Sequence, residues 1–381
     1  MATHTAARDV APSPRSVAVS RSSLVEALEL GADAWDGLVT SAGSASPFMS
    51  WAWHRAWAES APTDEVGASE VLELRGADGL LQALLPMRLE RARFRRVSVR
   101  ALTWSIGDAG CPDDLDVPAT PEADMTVLAA ALEPLPWQVL VLGNLAAHAP
   151  HATRLRDALV ARGHTARQQP LWPCPQFALP ASWDGYLAGL SANRRQMVRR
   201  KERNLRRDYA VTLTDYDGDR FDAGWRHLLA LHALRWEGAG GGAFTDPRVT
   251  QQQRLFATEM ARQNRLWLTT LDLGGQPAAA WYGFTSDRTV YFYQGGRDPR
   301  VEHDSVGLVL MGLMIRRAIE RGYQTFNFLR GDDPYKRQWT SSSLTTRETV
   351  IFRSGWGGLS LRLLDALAGL RSGRRGRDGD A

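Results

Sequence analysis

The order of predicted elements over residues 289–339 constrains the fold more than any other feature of this chain. A strand at 289–294 and a helix at 306–321 are followed by a second strand at 323–329 and a polar segment at 330–339. A helix that opens beside a strand leaves unpaired backbone N–H groups at its positive end, and these groups suit a phosphate. The order therefore predicts an anion site next to side chains that can transfer protons.

The hydrophobic pattern and the turn signals predict the same layout twice along the chain. In the second half they predict helices 221–236 and 247–263 around a Gly-rich loop at 238–242, strands 265–273, 276–284 and 289–294, the last broken at Gly295-Gly296, then strand 348–352 and an amphipathic helix at 359–370. In the first half they predict a helix at 48–57, a hairpin of strands 71–74 and 80–89, strands 101–106 and 137–142, and a helix at 151–162.

This repetition predicts a mixed α/β fold made of two copies of one unit. A Pro-rich stretch at 170–175 marks the predicted boundary between them. The predicted divisions are a disordered lead at 1–17, a first unit at 18–175, a second unit at 176–355, and an amphipathic helix with a basic tail at 356–381, in which Arg371, Arg374, Arg375 and Arg377 lie.

Composition excludes several classes of protein. With 381 residues, 44% hydrophobic and 23% charged, the chain has an ordinary globular composition and length for two units. The net charge of +4 gives no argument for DNA but suits an anionic small ligand. Two cysteines without CxxC spacing argue against a disulfide framework and a zinc site. No signal peptide or membrane span is predicted, so we expect a cytoplasmic protein.

Three motifs carry a resemblance to a known family. They are Leu231-His-Ala-Leu-Arg235-Trp236, Asp304-Ser-Val-Gly307, and the segment from Phe328 through Gly331-Asp-Asp-Pro-Tyr335-Lys336 to Trp339. With the element order, they resemble the GNAT superfamily of N-acyltransferases, in particular the double-GNAT branch that includes CelD-like and Fem-type proteins. The resemblance implies two tandem GNAT-like units, each a largely antiparallel mixed sheet flanked by helices.

The resemblance also implies an acyl donor and where it binds. In GNAT proteins the helix after the meander holds the pyrophosphate of acetyl-CoA or another acyl-CoA at its N-terminus, and no metal is needed. Carried onto this chain, the donor site comprises Arg297, Ser305, Val306, Gly307 and Leu308. The usual pyrophosphate loop, Gln/Arg-x-x-Gly-x-Gly/Ala, is missing from residues 297–307, where Gly307 is the single glycine.

The polar segment supplies the predicted catalytic residues. N-acylation requires that the amine lose a proton and that the departing thiolate be stabilised, so a carboxylate and a tyrosine are the expected groups. Tyr335 is the predicted acid, and Lys336 is predicted to hold a phosphate or a substrate carboxylate. Asp332 and Asp333 precede Pro334, so one is expected to cap a helix there while the other acts as base.

The acceptor is expected to be a polar or anionic small molecule that carries an amine, such as an amino sugar of polysaccharide or cell-envelope metabolism. An acidic residue in a loop of the first half faces the acceptor in Fem-type relatives, and Asp113 is the residue this implies here. Residues 193–207 carry eight Lys and Arg against one acid, a charge excess that an anion would offset. The predicted acceptor-binding residues are Asp113, Arg194, Arg195, Arg199, Arg235, Trp236 and Arg330.

Two alternatives to a CoA-dependent N-acyltransferase remain open. Fem-type relatives take an aminoacyl group from tRNA, and tRNA is expected as a partner under that alternative alone. The missing pyrophosphate loop also suits a GNAT-like protein that binds a ligand without turnover. The basic helix and the Arg-rich end of the chain are further compatible with peripheral contact at the inner face of a membrane. The oligomeric state is not predicted.

Overall fold

One continuous sheet runs through both halves of the chain. The structure, a computed structural model, describes residues 17–43, 46–94, 97–237 and 242–375, with side chains in the last helix up to residue 366. Within these ranges the strands are β1 (Ala18–Ser23), β2 (Ser69–Arg75), β3 (Leu81–Phe94), β4 (Val97–Trp104), β5 (Val139–Leu145), β6 (Thr165–Ala178), β7 (Val211–Asp215), β8 (Leu266–Leu273), β9 (Gln276–Ser286), β10 (Thr289–Arg297), β11 (Thr325–Asn327) and β12 (Ser343–Phe352). Their order across the sheet is β1-β2-β3-β4-β5-β12-β6-β11-β10-β9-β8-β7.

Helices cover the sheet. They are α1 (Leu24–Leu28), α2 (Gly31–Ser41), α3 (Trp51–Ser60), α4 (Thr63–Gly67), α5 (Met125–Leu132), α6 (Pro150–Ala161), α7 (Trp183–Gly189), α8 (Ala192–Asp208), α9 (Phe221–Trp236), α10 (Pro247–Arg262), α11 (Val306–Glu320), α12 (Pro334–Arg337) and α13 (Trp356–Arg375). Side chains of alternating direction along β10 enter two separate cores: Val290 and Phe292 pack with α11, whereas Tyr291 packs with α9.

Each half contains the parallel strand pair that the resemblance implies. In the first half β4 and β5 are parallel and α5 lies between them in the chain, and in the second half β10 and β11 are parallel around α11. The remaining neighbours within each half are antiparallel, so the mixed α/β fold of two GNAT-like units is confirmed. The halves meet at β12, which pairs with β5 on one side and with β6 on the other.

Several predicted boundaries are wrong. Gly295-Gly296 does not break a strand but lies inside β10, paired with Trp281 and Ala280. Gly296 is required there because a Cβ atom would come within 2.3 Å of the His232 backbone nitrogen, so its absence lets α9 approach β10. The strand predicted at 323–329 is shorter, as β11 spans Thr325–Asn327.

The Pro-rich stretch at 170–175 does not lie in a linker. It belongs to β6. The strand tolerates these prolines because its register with β12 shifts between Thr345 and Arg347. The pattern also failed to predict β1, β6 and β7. Residues 1–16 of the predicted lead, most of the Gly-rich loop, and the end of the basic tail lie outside the described residues. The four-part division of the chain stays a prediction.

Candidate functional site

The site begins where β10 and β11 separate. Their parallel register covers Thr289 to Tyr291 on β10 and ends at Asn327 on β11. Beyond this point the β10 register shifts between Phe292 and Gln294, while the chain after β11 turns toward β6, where Phe328 N donates to Pro175 O. The two strands thus diverge, and the edge of β10 beyond Tyr291 turns away from β11.

A cavity of about 480 Å³ occupies this opening. Its volume is in the range of small-molecule and cofactor sites. Besides α11, four elements contribute side chains to it: Arg235 from α9, Trp281 from β9, Phe292 from β10, and Tyr335 from α12. The indole Nε1 of Trp281, on a side chain that is 1% exposed, has no hydrogen-bond partner among the described residues.

The N-terminus of α11 forms one wall of the cavity. Ser305, Val306, Gly307 and Leu308 all line it, together with Arg297 at the end of β10. Ser305 adopts a left-handed φ of 61°, and its side chain makes no capping hydrogen bond in the described chain. The first N–H groups of α11 therefore remain available to an anion, with the positive end of the helix dipole behind them. The five residues predicted to hold the donor are thus brought together.

Arg235 and Tyr335 meet at the opposite wall. The Arg235 guanidinium carbon lies 5.7 Å from the centre of the Tyr335 ring, and Arg235 Nη1 donates to the Gly295 carbonyl at 3.2 Å. Burial raises the pKa of the Tyr335 hydroxyl above its usual range, although Arg235 acts in the opposite direction. Tyr335 is therefore protonated at neutral pH and able to donate a proton.

Arg330 and Asp113 do not line this cavity but join the two halves. The side chain of Asp113 is fully buried and accepts from Arg330 Nε at 2.7 Å and from Arg330 N at 2.8 Å. Arg330 also pairs with Asp108 at 2.9 Å and donates to the Pro112 carbonyl. Each of the three guanidinium nitrogens of Arg330 has a partner in the protein, so the pair fixes the loop between β4 and α5 against the end of β11.

Lys336 is buried beside this ion pair. Its Nζ donates to the carbonyls of Arg330, at 2.5 Å, and of Leu329, at 3.3 Å, and lies 3.5 Å from Asp333. Burial lowers the pKa of Lys336. Leu329 has a left-handed φ of 58°, so Lys336 holds a turn that would otherwise leave two carbonyls without this donor. Its predicted contact with a phosphate or a carboxylate of the substrate stays a prediction.

Asp114 contacts β11 at the point where the strands part. It accepts from Asn327 Nδ2 at 3.0 Å, and Asn327 is the β11 partner of Tyr291 in the last register pair. Burial, reinforced by the charge of Asp113, raises the pKa of Asp114 to about 6. The side chain of Tyr291 faces the core on the α9 side, and the charge of Asp114 acts on it, so Asp114 lies on that side of the sheet, whereas α11 packs on the other.

The other predicted site residues lie apart from the cavity. Asp332 pairs with Arg337 at 3.2 Å, and both partners are exposed. Asp333 occupies the N-cap position of α12 but makes no capping bond, so the helix beginning at Pro334 is confirmed without its predicted cap. Trp236 follows Arg235 on α9, outside the residues that line the cavity.

The predicted basic helix is α8, and its arginines differ in their surroundings. Arg195 donates to the carbonyls of Leu187 and Ala188, and Arg199 pairs with the exposed Asp184. Arg194 is buried instead and packs on the ring of Trp339. None of the three lines the α11 cavity.

Some of the site could not be chosen from the sequence. Trp281, Phe292 and Met311 line the cavity but read as ordinary core residues, because the strand and helix patterns give no sign of an opening. Asp114 stands beside Asp113 in the sequence, and only the fold shows that one is enclosed and the other lies at the splay. His232, in the first motif, is buried, and burial lowers its pKa to about 4.

The described residues include neither a metal-binding group nor a helix that could cross a membrane. No group of three or more His, Cys, Asp and Glu side chains is placed to hold a metal ion there. Among the described helices, none combines the length and the apolar character that a membrane crossing requires.

The comparisons with known proteins agree with this geometry. Residues 192–337 match the family model described as an acetyltransferase (GNAT) domain. No curated protein matches the chain in sequence. Solved structures share its fold at 11% identity.

Three structures with TM-scores above 0.5 illustrate the likeness. One is the C-terminal DUF2156 domain of a protein assigned as a lysylphosphatidylglycerol synthetase in Agrobacterium fabrum, with a TM-score of 0.54 over 89% of this chain and 95% of that one. Another is L-PGS from Bacillus licheniformis, at 0.51 over 89% and 97%. The third is FemX, at 0.51 over 77% and 90%.

The family match covers the diverging strands, α11 and the cavity, and the likeness to FemX extends the shared fold over both halves. Residues 192–337 are therefore similar to an acetyltransferase (GNAT) domain, and most of the chain shares the fold of these solved structures.

Proposed function

We propose that this protein is an N-acyltransferase that moves an acyl group other than an aminoacyl group from acyl-CoA, with acetyl-CoA as the expected donor, to an amine. The observation that carries the proposal is the cavity at the diverging strands, because its wall is the uncapped N-terminus of α11. An amine on a polar or anionic scaffold, such as an amino sugar in polysaccharide metabolism, is the proposed acceptor, and the cytoplasm is the proposed location.

The residues present suit such a donor although the usual pyrophosphate loop is missing. Backbone N–H groups at Val306 and Gly307 can hold a pyrophosphate without a glycine-rich sequence. The guanidinium of Arg297 pairs with Glu302 at 2.6 Å and would join them by turning from that carboxylate to the phosphate. Gly307 leaves room, since a Cβ atom there would meet only Arg297 Cδ, at 3.6 Å. When bound, acyl-CoA supplies a thioester, whose carbonyl the N–H groups at the edge of β10 can polarise.

Asp114 is the proposed general base. A carboxyl with a pKa of about 6 is largely ionised at neutral pH and still basic enough to take a proton from an ammonium acceptor, directly or through water. Its place at the end of β11, on the face opposite α11, allows the amine to approach the splay from the side away from the donor. Asn327 and the loop from the first half hold the carboxylate in this position.

Tyr335 is the proposed acid. Its hydroxyl keeps its proton at neutral pH because burial raises its pKa, and it lines the same cavity as the start of α11. It would donate that proton to the departing thiolate, while Arg235 holds the ring from the other side. Attack forms the C–N bond, and collapse of the tetrahedral intermediate breaks the C–S bond. Of the two protons that the ammonium loses, the first goes to Asp114 and then to solvent. The second is lost through water after the attack and replaces the proton that Tyr335 gives to the thiolate.

A thermal titration tests the donor. Acetyl-CoA is added to the full chain, with ADP and free adenosine as controls, and binding is checked by calorimetry. A ligand present at about 100 times its dissociation constant stabilises the folded state by roughly 2.7 kcal/mol. We expect a rise of several degrees, at about 2–4 °C per kcal/mol for a unit of about 200 residues. The absence of any shift or heat at millimolar acetyl-CoA would refute the CoA-dependent function.

A second candidate function is aminoacyl transfer from tRNA. The charge of α8 favours it, since exposed arginines such as Arg199 and Arg203 offer phosphate contacts to a nucleic acid. Its test is binding of aminoacyl-tRNA at several salt concentrations, for which a strong decrease with salt is expected. Binding of both acetyl-CoA and ADP without any turnover would instead indicate a GNAT-like protein that binds without catalysis.

A further inference from the structure

A second cavity lies beyond Trp339 from the cavity at the N-terminus of α11, which is the proposed donor cavity. It has a volume of about 620 Å³ and is lined by the end of β6, the segment from α7 to the start of α8, and residues 337–341. Gln338 and Trp339 line both cavities, so these two side chains form the partition between them. A ligand that extends past the partition would therefore reach the first turn of α8.

Arg194 in this second cavity is a buried cation without a counter-ion. The residue is 9% exposed, and neither Nε nor Nη2 has a hydrogen-bond partner among the described residues. Its remaining terminal nitrogen, Nη1, lies 3.9 Å from the sulfur of Met197, a weak acceptor. The ring of Trp339, 4.7 Å from the guanidinium carbon, gives a cation–π contact but no negative charge.

A buried charge that lacks a partner is unfavourable, and proteins compensate it with an ion pair or a bound ligand. Burial lowers the pKa of Arg194, the direction expected for a cation whose charge is not neutralised. Arg199 on α8 and Arg337 on α12 differ from Arg194, since they have carboxylate partners in Asp184 and Asp332. Arg194 is thus a cation prepared for an anion that the protein does not supply.

The first turn of α8 adds to this positive potential. Ser191, which lines the second cavity, caps the helix by accepting from Arg194 N at 3.3 Å. The N–H groups of Ala192 and Asn193 have no partner inside the helix, and α8 is 17 residues long, so its dipole is fully developed. Arg337 lines the cavity from the other side.

We infer that the second cavity is a phosphate subsite, in which Arg194 and the N-terminus of α8 bind a phosphate group of a ligand that extends from the donor cavity. A phosphate matches both a guanidinium and a helix N-terminus. The terminal 3′-phosphate of CoA is one source of such a group, and a phosphate on the acceptor is the other. The identity of the molecule that carries the phosphate rests on the proposed function, whereas the subsite itself does not.

The test uses the full chain, its Arg194→Met variant, and Arg195→Met as a matched control. Arg195 lies on the same turn but bonds backbone carbonyls outside the cavity, so its loss removes an equal charge without touching the subsite. Methionine retains most of the apolar stem of Arg194, and removal of an unpaired buried charge is not expected to lower the unfolding temperature. Arg194→Lys keeps the charge and should restore part of the binding.

Three probes separate the sources: CoA, 3′-dephospho-CoA and inorganic phosphate. We expect unmodified protein and Arg195→Met to bind CoA at least about tenfold more tightly than 3′-dephospho-CoA, the effect of one charge-assisted contact. Arg194→Met should bind the two ligands equally. Inorganic phosphate should raise the unfolding temperature of the unmodified protein and of Arg195→Met, but not that of Arg194→Met.

The outcomes are distinct. If phosphate protects through Arg194 but CoA and 3′-dephospho-CoA bind equally, the subsite stands and its phosphate belongs to the acceptor. If CoA does not bind while phosphate still protects through Arg194, the proposed donor is wrong and the subsite stands. Equal responses of the unmodified protein and Arg194→Met to all three probes would overturn the inference.

Discussion

The two units share one plan but differ at the point where their parallel strands diverge. In the first unit the chain itself occupies the opening: Leu115 forms a bridge with Leu145, and Trp104 Nε1 donates to the Gly143 carbonyl at 3.0 Å. In the second unit the corresponding opening between β10 and β11 is the cavity beside α11, the proposed donor site. The opening of the first unit is filled by protein, whereas that of the second unit is a cavity.

The helices after these strands differ in the same way. Asp124 caps α5 by accepting from Thr126 N at 2.9 Å, whereas Ser305 leaves α11 without a capping side chain in the described chain. A capped N-terminus has little need of an external anion, while an uncapped one beside a cavity does. The loop that fills the opening of the first unit also carries Asp113 and Asp114 to the end of β11 in the second unit.

Gly307→Glu should give the largest effect, a loss of affinity for acetyl-CoA, because the new side chain enters the cavity of the second unit. The new carboxylate would stand where the donor phosphates are expected, and like charges in contact cost several kcal/mol, here about 4, or about 1,000-fold in affinity. Calorimetry with acetyl-CoA measures this, and Gly307→Ala is the control, since the added Cβ has only an ordinary contact. Unchanged affinity in a folded Gly307→Glu protein would contradict the placement of the donor.

Asp113→Asn should mainly lower the free energy of unfolding. Loss of one partner from a buried ion pair leaves Arg330 without its main counter-charge, which costs about 3 kcal/mol. Urea unfolding of Asp113→Asn measures the change, and Asp332→Asn, from an exposed pair, should alter the unfolding free energy by less than about 1 kcal/mol. If both variants were equally stable, the ion pair would not join the units as described.

Asp114→Asn should lower kcat/KM by about 100-fold, the usual contribution of a general base. Because the base must be ionised, activity of the unmodified enzyme should fall as the pH decreases through about 6, the raised pKa of Asp114. In the variant this acid limb should disappear. A pH profile with the best amine acceptor measures both effects, and a limb that persists in Asp114→Asn but vanishes in Asp332→Asn or Asp333→Asn would transfer the role to those residues.

Tyr335→Phe should reduce kcat by about tenfold, less than the loss of the base, because a thiolate leaves readily even without a proton. The ring and its contact with Arg235 are retained, so the dissociation constant of acetyl-CoA should not change. Single-turnover kinetics combined with calorimetry separates the two quantities. A change confined to affinity would mean that Tyr335 serves binding alone.

The sequence predicted the second unit better than the first for a physical reason. The elements α9 and α11 begin where periodicity and turn residues place them, since local pattern decides a helix with one apolar face. The same reasoning failed for β6, because prolines at 170, 173 and 175 are typical of a linker. Only the pairing of β6 with β12 makes it a strand.

The site shows the same limit. The sequence predicts the motif containing Gly331, Tyr335 and Lys336 as one reactive segment. In the fold, however, Tyr335 lines the cavity and Lys336 lies in a buried turn. Adjacent residues on a short helix point in different directions, and which direction meets an opening depends on strands far away in the chain. Residue type and spacing alone do not contain that information.

Trp104→Phe should give the smallest effect and tests the closed unit. It removes the bond from the indole to the Gly143 carbonyl while keeping an aromatic ring in the core, so a loss of about 1 kcal/mol is expected. Acetyl-CoA affinity should stay within a factor of two, because this bond fills the first splay rather than the second. If the first opening were also a binding site, the variant would change ligand affinity by more than it changes stability. Urea unfolding and calorimetry on the same preparation decide between these cases, and a filled splay predicts that only the unfolding curve moves.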